Sequence, residues 1–347
     1  MSGRSAIVAA LVAALLFGAS TPFAKILVGE LSPVLLAALL YLGSGVGLWT
    51  VCLIRDRRVV VPHLSPHEWF WFLGAIAVGG VLGPVLLTAG LRQTPASNAS
   101  LLLNFEAVFT SLIAWIIFRE NAGRRLVLGM ALIIGGGAVL TWPSEPGRAP
   151  LAGAILIGCA CLCWAIDNNL TRKVSAVDAL FIAGTKGLVA GSVNLGLAVA
   201  LRASPPTALL AGSAMVIGLF GYGVSLALFV LALRGLGAAR AGAYFSTAPF
   251  LGALIAIAAL HESATAGFWL AALLMFAGVA LHLTERHVHR HAHQVLDHSH
   301  PHSHDAHHQH EHGFSWDGVE PHSHVHHHEA LTHEHAHFPD VHHRHEH

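Results

Sequence analysis

Charged residues are scarce in this chain of 347 residues: Asp, Glu, Lys and Arg together make up 11% of it, against about 25% in soluble domains. The chain also lacks a Gly-Lys-Ser/Thr phosphate loop, a nucleophile elbow and a basic surface. Neither an enzyme nor a nucleic-acid-binding protein is therefore predicted. The four cysteines have no framework spacing, and three of them stand in the apolar stretch CACLC, where cysteine behaves as a small buried apolar residue.

Apolar residues, by contrast, form long runs: 54% of the chain is hydrophobic and its mean hydropathy is +0.61. Because about 20 apolar residues let a helix cross the hydrocarbon core of a membrane, these runs predict an all-α membrane protein with ten transmembrane helices. The spans cover about residues 5–28, 33–54, 69–91, 97–118, 124–142, 150–171, 175–201, 208–233, 238–260 and 264–284. The third span has a clear start, since Ser65, Pro66 and Glu68 are spaced as in a capping box.

Basic residues are unevenly distributed over the loops between these spans. If the N-terminus lies in the cytoplasm, thirteen Arg and Lys residues fall on the cytoplasmic side and four on the other. Under the positive-inside rule this bias predicts cytoplasmic N- and C-termini, in a multi-pass protein of a bacterial-type inner membrane.

The chain repeats itself with a shift of 142 residues. LRQTPASNASLLL from Leu91 aligns without a gap with LRGLGAARAGAYF from Leu233, and Glu120 aligns with Glu262. Five spans in each half give the halves opposite orientations, which is the arrangement of secondary transporters that bind substrate between the halves. Chance matching of apolar sequence is the alternative explanation.

These features resemble the EamA domain of the drug/metabolite transporter superfamily. The resemblance rests on a Leu-Arg helix end, a helix of small residues, a Glu at its far end and the Gly-rich helix LGMALIIGGGAVL. It implies two inverted five-helix repeats, at residues 5–142 and 150–284. The His-rich tail at residues 285–347 is an addition to them that the composition shows. The resemblance also implies export of small metabolites, such as amino acids or related compounds.

The first half departs from the family pattern in its fourth span. The second half keeps a Thr-Pro element at Thr247 to Pro249, whereas the first half has Asn104 to Ala107, which includes the carboxylate of Glu106. The family's basic residue in the second helix of a repeat has a counterpart only in the second half, at Lys186.

Polar residues inside the predicted spans are the candidates for a substrate or coupling site, because a charge at mid-membrane costs at least about 2.5–3.5 kcal/mol and normally faces a partner inside the protein. These candidates are Glu106, Asn104, Lys186, Asp167, Asn168, Asn169 and Trp164. Glu106 and Asp167 are candidates for proton or cation coupling, since a carboxylate removed from water holds a proton more readily. Lys186 is then a counter-charge or a contact for an anionic group. The alternative is a structural pair of Lys186 with Glu106 or Asp167.

Four charged residues near predicted helix ends recur in both halves: Arg92, Glu120, Arg234 and Glu262. Because the two halves are inverted, the two glutamates fall at opposite membrane faces. This repetition fits a helix-end or gating role better than substrate binding.

Histidine is concentrated at the end of the chain, where 25 of the 28 histidines follow from His282 onward. Apolar residues are too sparse there for a packed core, so disorder is predicted in the absence of a ligand. Closely spaced imidazoles bind Zn, Ni, Cu or Co, and the candidate ligands, of low specificity, are His298, His300, His302, His304, His307, His308 and His310. The alternative is a polar tail that takes up metal only in vitro.

Taken together, the residues predict a secondary transporter that exports a small metabolite by alternating access and is coupled to protons. One alternative is an exporter of divalent Zn, Ni or Co, in which the tail collects or senses the metal. Another is a membrane metal sensor whose spans anchor the tail. The expected partners are the small-molecule substrate, membrane lipids and transition-metal ions at the tail. No cofactor is required, and a homodimer is left open.

Overall fold

The computed structural model describes residues 3–57, 62, 64–117, 123–142, 151–171, 174, 178–236, 238–283, 287–293, 296–302, 322–328 and 331–337. For the last four stretches it describes the backbone. The chain divides into two units, residues 1–285 and residues 286–347, and each is described by itself.

The described residues of the first half of the helical unit form eight successive elements. They are α1 (Gly3–Val28), α2 (Pro33–Asp56), α3 (Pro66–Ala75), the π-helical turn π1 (Ile76–Leu82), α4 (Gly83–Leu91), α5 (Ala96–Leu102), α6 (Phe105–Ile116) and α7 (Arg124–Thr141). Three of these elements, α3, π1 and α4, follow one another without a break and form one membrane-length helix.

The second half is built in the same way. Its elements are α8 (Leu151–Thr171), α9 (Ala179–Ala200), α10 (Ala208–Gly218), the π-helical turn π2 (Leu219–Val224), α11 (Ser225–Leu236), α12 (Ala238–Phe245), α13 (Ala248–Leu260) and α14 (Ala266–Leu283).

Short polar side chains fix where several of these helices begin. At α3 the predicted capping box is confirmed: the Ser65 hydroxyl accepts a hydrogen bond from the Glu68 N–H at 3.3 Å, and the Glu68 carboxylate accepts one from the Ser65 N–H at 2.8 Å. Ser32 and Thr207 cap α2 and α10 with their hydroxyls. These contacts satisfy amides that a helix start otherwise leaves without a partner.

The helical membrane fold is confirmed, since nine helices among the described residues are long and apolar enough to cross a membrane. The fourth predicted span differs from the prediction. It consists of two helices, α5 and α6, which a turn at Leu103 and Asn104 separates, and each is shorter than the roughly 20 residues of a full span. The Asn104 side-chain amide donates to the Leu101 carbonyl at 2.9 Å, so a carbonyl near the break keeps a partner.

The irregular features of the two halves recur with the same spacing of 142 residues. The third helix begins at Pro66 in one half and at Ala208 in the other, and the fifth begins at Arg124 and at Ala266. Each third helix contains a π-helical turn, and each fourth helix is broken into two pieces. Chance similarity between two apolar sequences would not place helix ends and breaks at the same spacing. The agreement of these features between the two halves therefore favours a true repeat.

The described residues of the second unit form four strands, β1 (His287–His293), β2 (Leu296–His302), β3 (His322–His328) and β4 (Leu331–His337). β1 pairs with β4, and β2 pairs with β3, both antiparallel. The two sheets of the described backbone are held by backbone hydrogen bonds between paired strands. The disorder that the sequence predicts for this tail in the absence of a ligand stays a prediction.

Three of the predicted metal ligands lie on β2. In the register of the sheet, His298, His300 and His302 stand opposite residues 326, 324 and 322, which are all histidines. The other predicted ligands, His304, His307, His308 and His310, lie outside the described residues.

Candidate functional site

Two charged residues inside the bundle, Asp167 of α8 and Lys186 of α9, form an ion pair. Lys186 Nζ donates to Asp167 Oδ1 at 2.6 Å and to Oδ2 at 2.8 Å, and the two side chains are 16% and 8% exposed. The hydroxyl of Thr171, one turn further along α8, also donates to Asp167 Oδ1 at 2.9 Å. Of the two pairings that the sequence left open for Lys186, the structure therefore forms the one with Asp167.

The π-helical turn π1 packs against this pair. The Gly79 carbonyl accepts hydrogen bonds from Trp164 Nε1 at 3.0 Å and from the Tyr41 hydroxyl at 3.2 Å. A Cβ atom at Gly79 would overlap the Asp167 carboxylate, so only glycine leaves room for it. Single π-turns within α-helices often occur at functional sites, and small residues let membrane helices approach closely.

The first testable prediction follows from this contact. Gly79→Ala is expected to lower the free energy of unfolding by about 1–3 kcal/mol, the usual cost of overpacking a filled interior, because the new methyl group meets Asp167. Thermal unfolding of the purified protein in detergent measures the effect. The matched control is Gly135→Ala in α7, where a Cβ would have nothing within 4 Å; it should keep or slightly raise stability. Equal stability of the two variants would contradict the described contact.

A second carboxylate, Glu106, lies at the start of α6, next to the break in the fourth span. It is partly buried, and its Oε1 accepts a hydrogen bond from the side-chain amide of Asn168 on α8 at 2.8 Å. Among the described residues, no ion pair to Glu106 is found. The carboxylate is therefore held by a neutral partner that is itself exposed.

The remaining polar candidates make mainly local bonds. The Asn169 side chain donates to the Ala165 carbonyl of its own helix at 2.8 Å, and Asn104 bonds to Leu101 as described above. A further polar side chain, that of Asn194 on α9, is fully buried and donates to the Val81 carbonyl of π1 at 3.3 Å.

Three residues that contact the site were not among the predicted candidates: Tyr41, Gly79 and Thr171. Of these three, only Gly79 could have been found from the sequence, because Gly79 and Gly221 are again 142 residues apart. They lie in π1 and π2. Tyr41 and Thr171 have no such sign, since their role depends on which helices meet.

At the other end of the bundle, where α1 ends, a second group of charged residues meets. Glu262, between α13 and α14, accepts hydrogen bonds from the backbone N–H of Ala96 at 2.7 Å and of Ser97 at 2.8 Å. Lys25 donates to the carbonyls of residues 91 and 94. Lys25, Arg92 and Glu262 also line a cavity of about 440 Å³. Glu120 and the side chain of Arg234 lie outside the described residues.

The two ends of the bundle differ in how tightly the broken helices pack. Residues 100–102 of α5 are buried, and α5 packs on α13. Their repeat counterparts, residues 242–244 of α12, are only partly buried. Likewise Ala248 and Gly252 of α13 are buried, whereas their counterparts in α6, Glu106 and Thr110, are partly exposed. The end where α1 terminates is thus closed, and the end where α1 begins is more open.

The protein is a multi-pass membrane transport protein. It combines membrane-length helices with a buried ion pair and with a partly exposed carboxylate in a broken helix, and ionisable groups inside a membrane mark transport pathways. The chain belongs to the EamA-like transporter family, whose model matches residues 4–142 and 151–284.

Curated relatives agree with this class. The chain is 28% identical over 283 residues to an uncharacterized transporter of Methanothermobacter thermautotrophicus, covering 77% of this chain and 82% of that protein. It is 27% identical over 255 residues to the uncharacterized transporter YyaM of Bacillus subtilis, covering 70% and 81%. A crystal structure of a protein 18% identical in sequence shares the fold with a TM-score of 0.60, over 79% of this chain and 95% of that one.

Proposed function

We propose that this protein is a secondary transporter of a bacterial-type inner membrane, which exports small amino-acid-like metabolites in exchange for protons. Glu106 carries the proton in this proposal, and alternating access moves it between the two sides. The observation that carries the proposal is the difference between the two carboxylates: Asp167 is bonded to a lysine through both oxygens, whereas Glu106 has the neutral Asn168 as its partner.

Charge balance explains why this difference matters. The Lys186–Asp167 pair is neutral as a whole, so an ionised Glu106 contributes the uncompensated charge of the cluster. A proton or the ammonium group of a substrate can each neutralise it. Because one site then serves both, proton binding and substrate binding compete, which is what exchange of one for the other requires.

The repeat supplies a reason for the proton to bind and leave during the cycle. The counterpart of Glu106 is Ala248, which is 1% exposed and whose carbonyl lies against Gly18 of α1. If the two halves exchange conformations, Glu106 becomes buried in the same way. An unpaired carboxylate is costly to bury, so closure at that end favours the protonated form.

The direction of opening follows from the predicted orientation. With both termini in the cytoplasm, the more open end of the bundle faces the cytosol, and the partly exposed Glu106 lies there. The proposal requires no resident cofactor. Substrate and membrane lipids are its partners, and a homodimer is compatible with it.

Export of divalent Zn, Ni or Co is the second candidate function, and the facing histidines of β2 and β3 favour it. Metal would then be cargo collected by the tail, with Glu106, Asp167, Asn168 and Asn169 along its path. Against it, both oxygens of Asp167 are bonded to Lys186, and the ammonium group would repel a cation unless it were neutralised.

A flux experiment tests the two candidates against each other. Full-length protein and a form truncated after Glu285 are placed in liposomes, and uptake of a panel of amino acids and of Zn, Ni and Co is followed with and without a pH gradient. We expect amino-acid flux that depends on the gradient and survives truncation, while metal binding is lost with the tail. Metal flux that survives truncation and disappears in Glu106→Gln would instead make the bundle a metal pathway.

A further inference from the structure

The closed end of the bundle is held by a contact between the two halves of the chain. Glu262 belongs to the second half, and its two carboxylate oxygens accept hydrogen bonds from the N–H groups of Ala96 and Ser97 in the first half, at 2.7 and 2.8 Å. Glu262 follows Ala96 by 166 positions and Ser97 by 165 in the chain. A side chain that joins the halves at one face can respond when that face opens.

Small residues bring the same helices together beneath this contact. A Cβ atom at Gly252 of α13 would lie 3.0 Å from Ser100 Oγ of α5 and against the Gly18 carbonyl of α1. Lys25, at the end of α1, donates to the Thr94 carbonyl at 2.9 Å, just before α5 begins. The closed face is therefore a close contact of small side chains, with charged groups at its rim.

We propose that Glu262 is the latch of the gate at this face: its carboxylate holds the Ala96 and Ser97 amides while the gate is closed and releases them when it opens. The inference rests on the proposed alternating-access cycle, and it adds a residue that sets which face is closed. Its sequence counterpart, Glu120, lies outside the described residues, and the inverted repeat predicts the same task for it at the other face.

The chemistry of the contact suits a latch. Hydrogen bonds from amides to a carboxylate are stronger than bonds between neutral groups. The two bonds that Glu262 accepts therefore favour the closed state. Glu262 is partly exposed, and water can replace the amides once the helices part. The bond can therefore be broken without leaving a buried charge.

Spin-label distance measurements on the full-length protein in lipid nanodiscs test the proposal. One label pair, Gln93→Cys and Ser263→Cys, spans the closed face, and a second pair, Ile117→Cys and Gly242→Cys, spans the open one. The four native cysteines are replaced first, since Cys159 is exposed. Glu262→Gln is expected to raise the ratio of open to closed molecules at the first pair about tenfold, the change that follows from losing a hydrogen bond to a charged group.

Two further variants sharpen the result. Glu120→Gln should leave the first pair at its short distance, because it loosens the opposite gate. Glu30→Gln removes an exposed carboxylate near the end of α1 and should change neither pair.

An unchanged distribution in Glu262→Gln would overturn the proposal. If that variant does not fold, Glu262→Asp makes the same test, because it keeps the charge and withdraws the oxygens by one methylene group. The distance measurements require no substrate. They therefore test the latch separately from the transported compound: a wrongly assigned compound would leave the distances as expected, and a wrong latch would not.

Discussion

Glu106→Gln is expected to abolish transport driven by a pH gradient and to reduce it to the rate of empty liposomes. Glutamine has the shape of glutamate, and its carbonyl can still accept the hydrogen bond that the Asn168 amide donates. It cannot take up or release a proton, however. The fold should therefore persist while the coupling is lost.

Substrate exchange separates this loss of coupling from a loss of binding. Liposomes loaded with unlabelled substrate are given labelled substrate without a gradient, and exchange should continue in Glu106→Gln if the variant still binds its cargo. Glu30→Gln serves as the control with an equal change of charge outside the site. A variant at position 106 that still responds to the gradient as the unmodified protein does would show that another group carries the proton.

Lys186→Met is expected to destabilise the protein by about 3–5 kcal/mol, because it leaves the Asp167 carboxylate buried without its cationic partner. The Thr171 hydroxyl that remains beside Asp167 cannot supply the missing charge. The free energy of unfolding of the purified protein measures the loss. Replacing both partners, as Lys186→Met with Asp167→Asn, should recover most of it, since no unpaired charge is then left in the interior.

An exposed pair provides the comparison. Arg55 and Asp178 join α2 to the start of α9 at 2.8 Å, with side chains 42% and 34% exposed, and Arg55→Met should cost about 0–1 kcal/mol. If Lys186→Met cost no more than that, the Lys186–Asp167 pair would not be buried as described. Flux through the double variant then separates the two roles: a stable protein that still transports would make the pair structural, and a stable protein that does not would make it part of the substrate path.

The parts of the fold that depend on local sequence could be predicted. Helix lengths follow from apolar runs, and the start of α3 follows from the spacing of Ser65 and Glu68. The repeat was visible as paired Arg and Glu residues, and the structure adds π-turns and helix breaks at the same spacing. Each of these is a property of neighbouring residues along the chain.

The break within the fourth span and the choice of partner for Lys186 could not be predicted in the same way. The stretch around Asn104 is apolar enough for one continuous helix, and the break becomes evident only from the packing of α5 and α6 on different neighbours. Lys186 had two carboxylates within reach by sequence, and the choice between them depends on how α8 and α9 approach. Tyr41 was missed for the same reason, since its hydrogen bond joins α2 to π1.

The two π-helical turns also affect how sequences of relatives should be compared. A π-turn holds one residue more than an α-turn. A relative that lacks this residue can therefore form a regular α-helix there, while the side chains before and after the turn still point towards the same neighbouring helices. In a regular helix such as α7, the same deletion would rotate all later residues by about 100°. A gap of one position in an alignment is therefore no sign that packing has been lost, whether at Ile76–Leu82, which contacts α8 and α9, or at Leu219–Val224, which contacts α1 and α2.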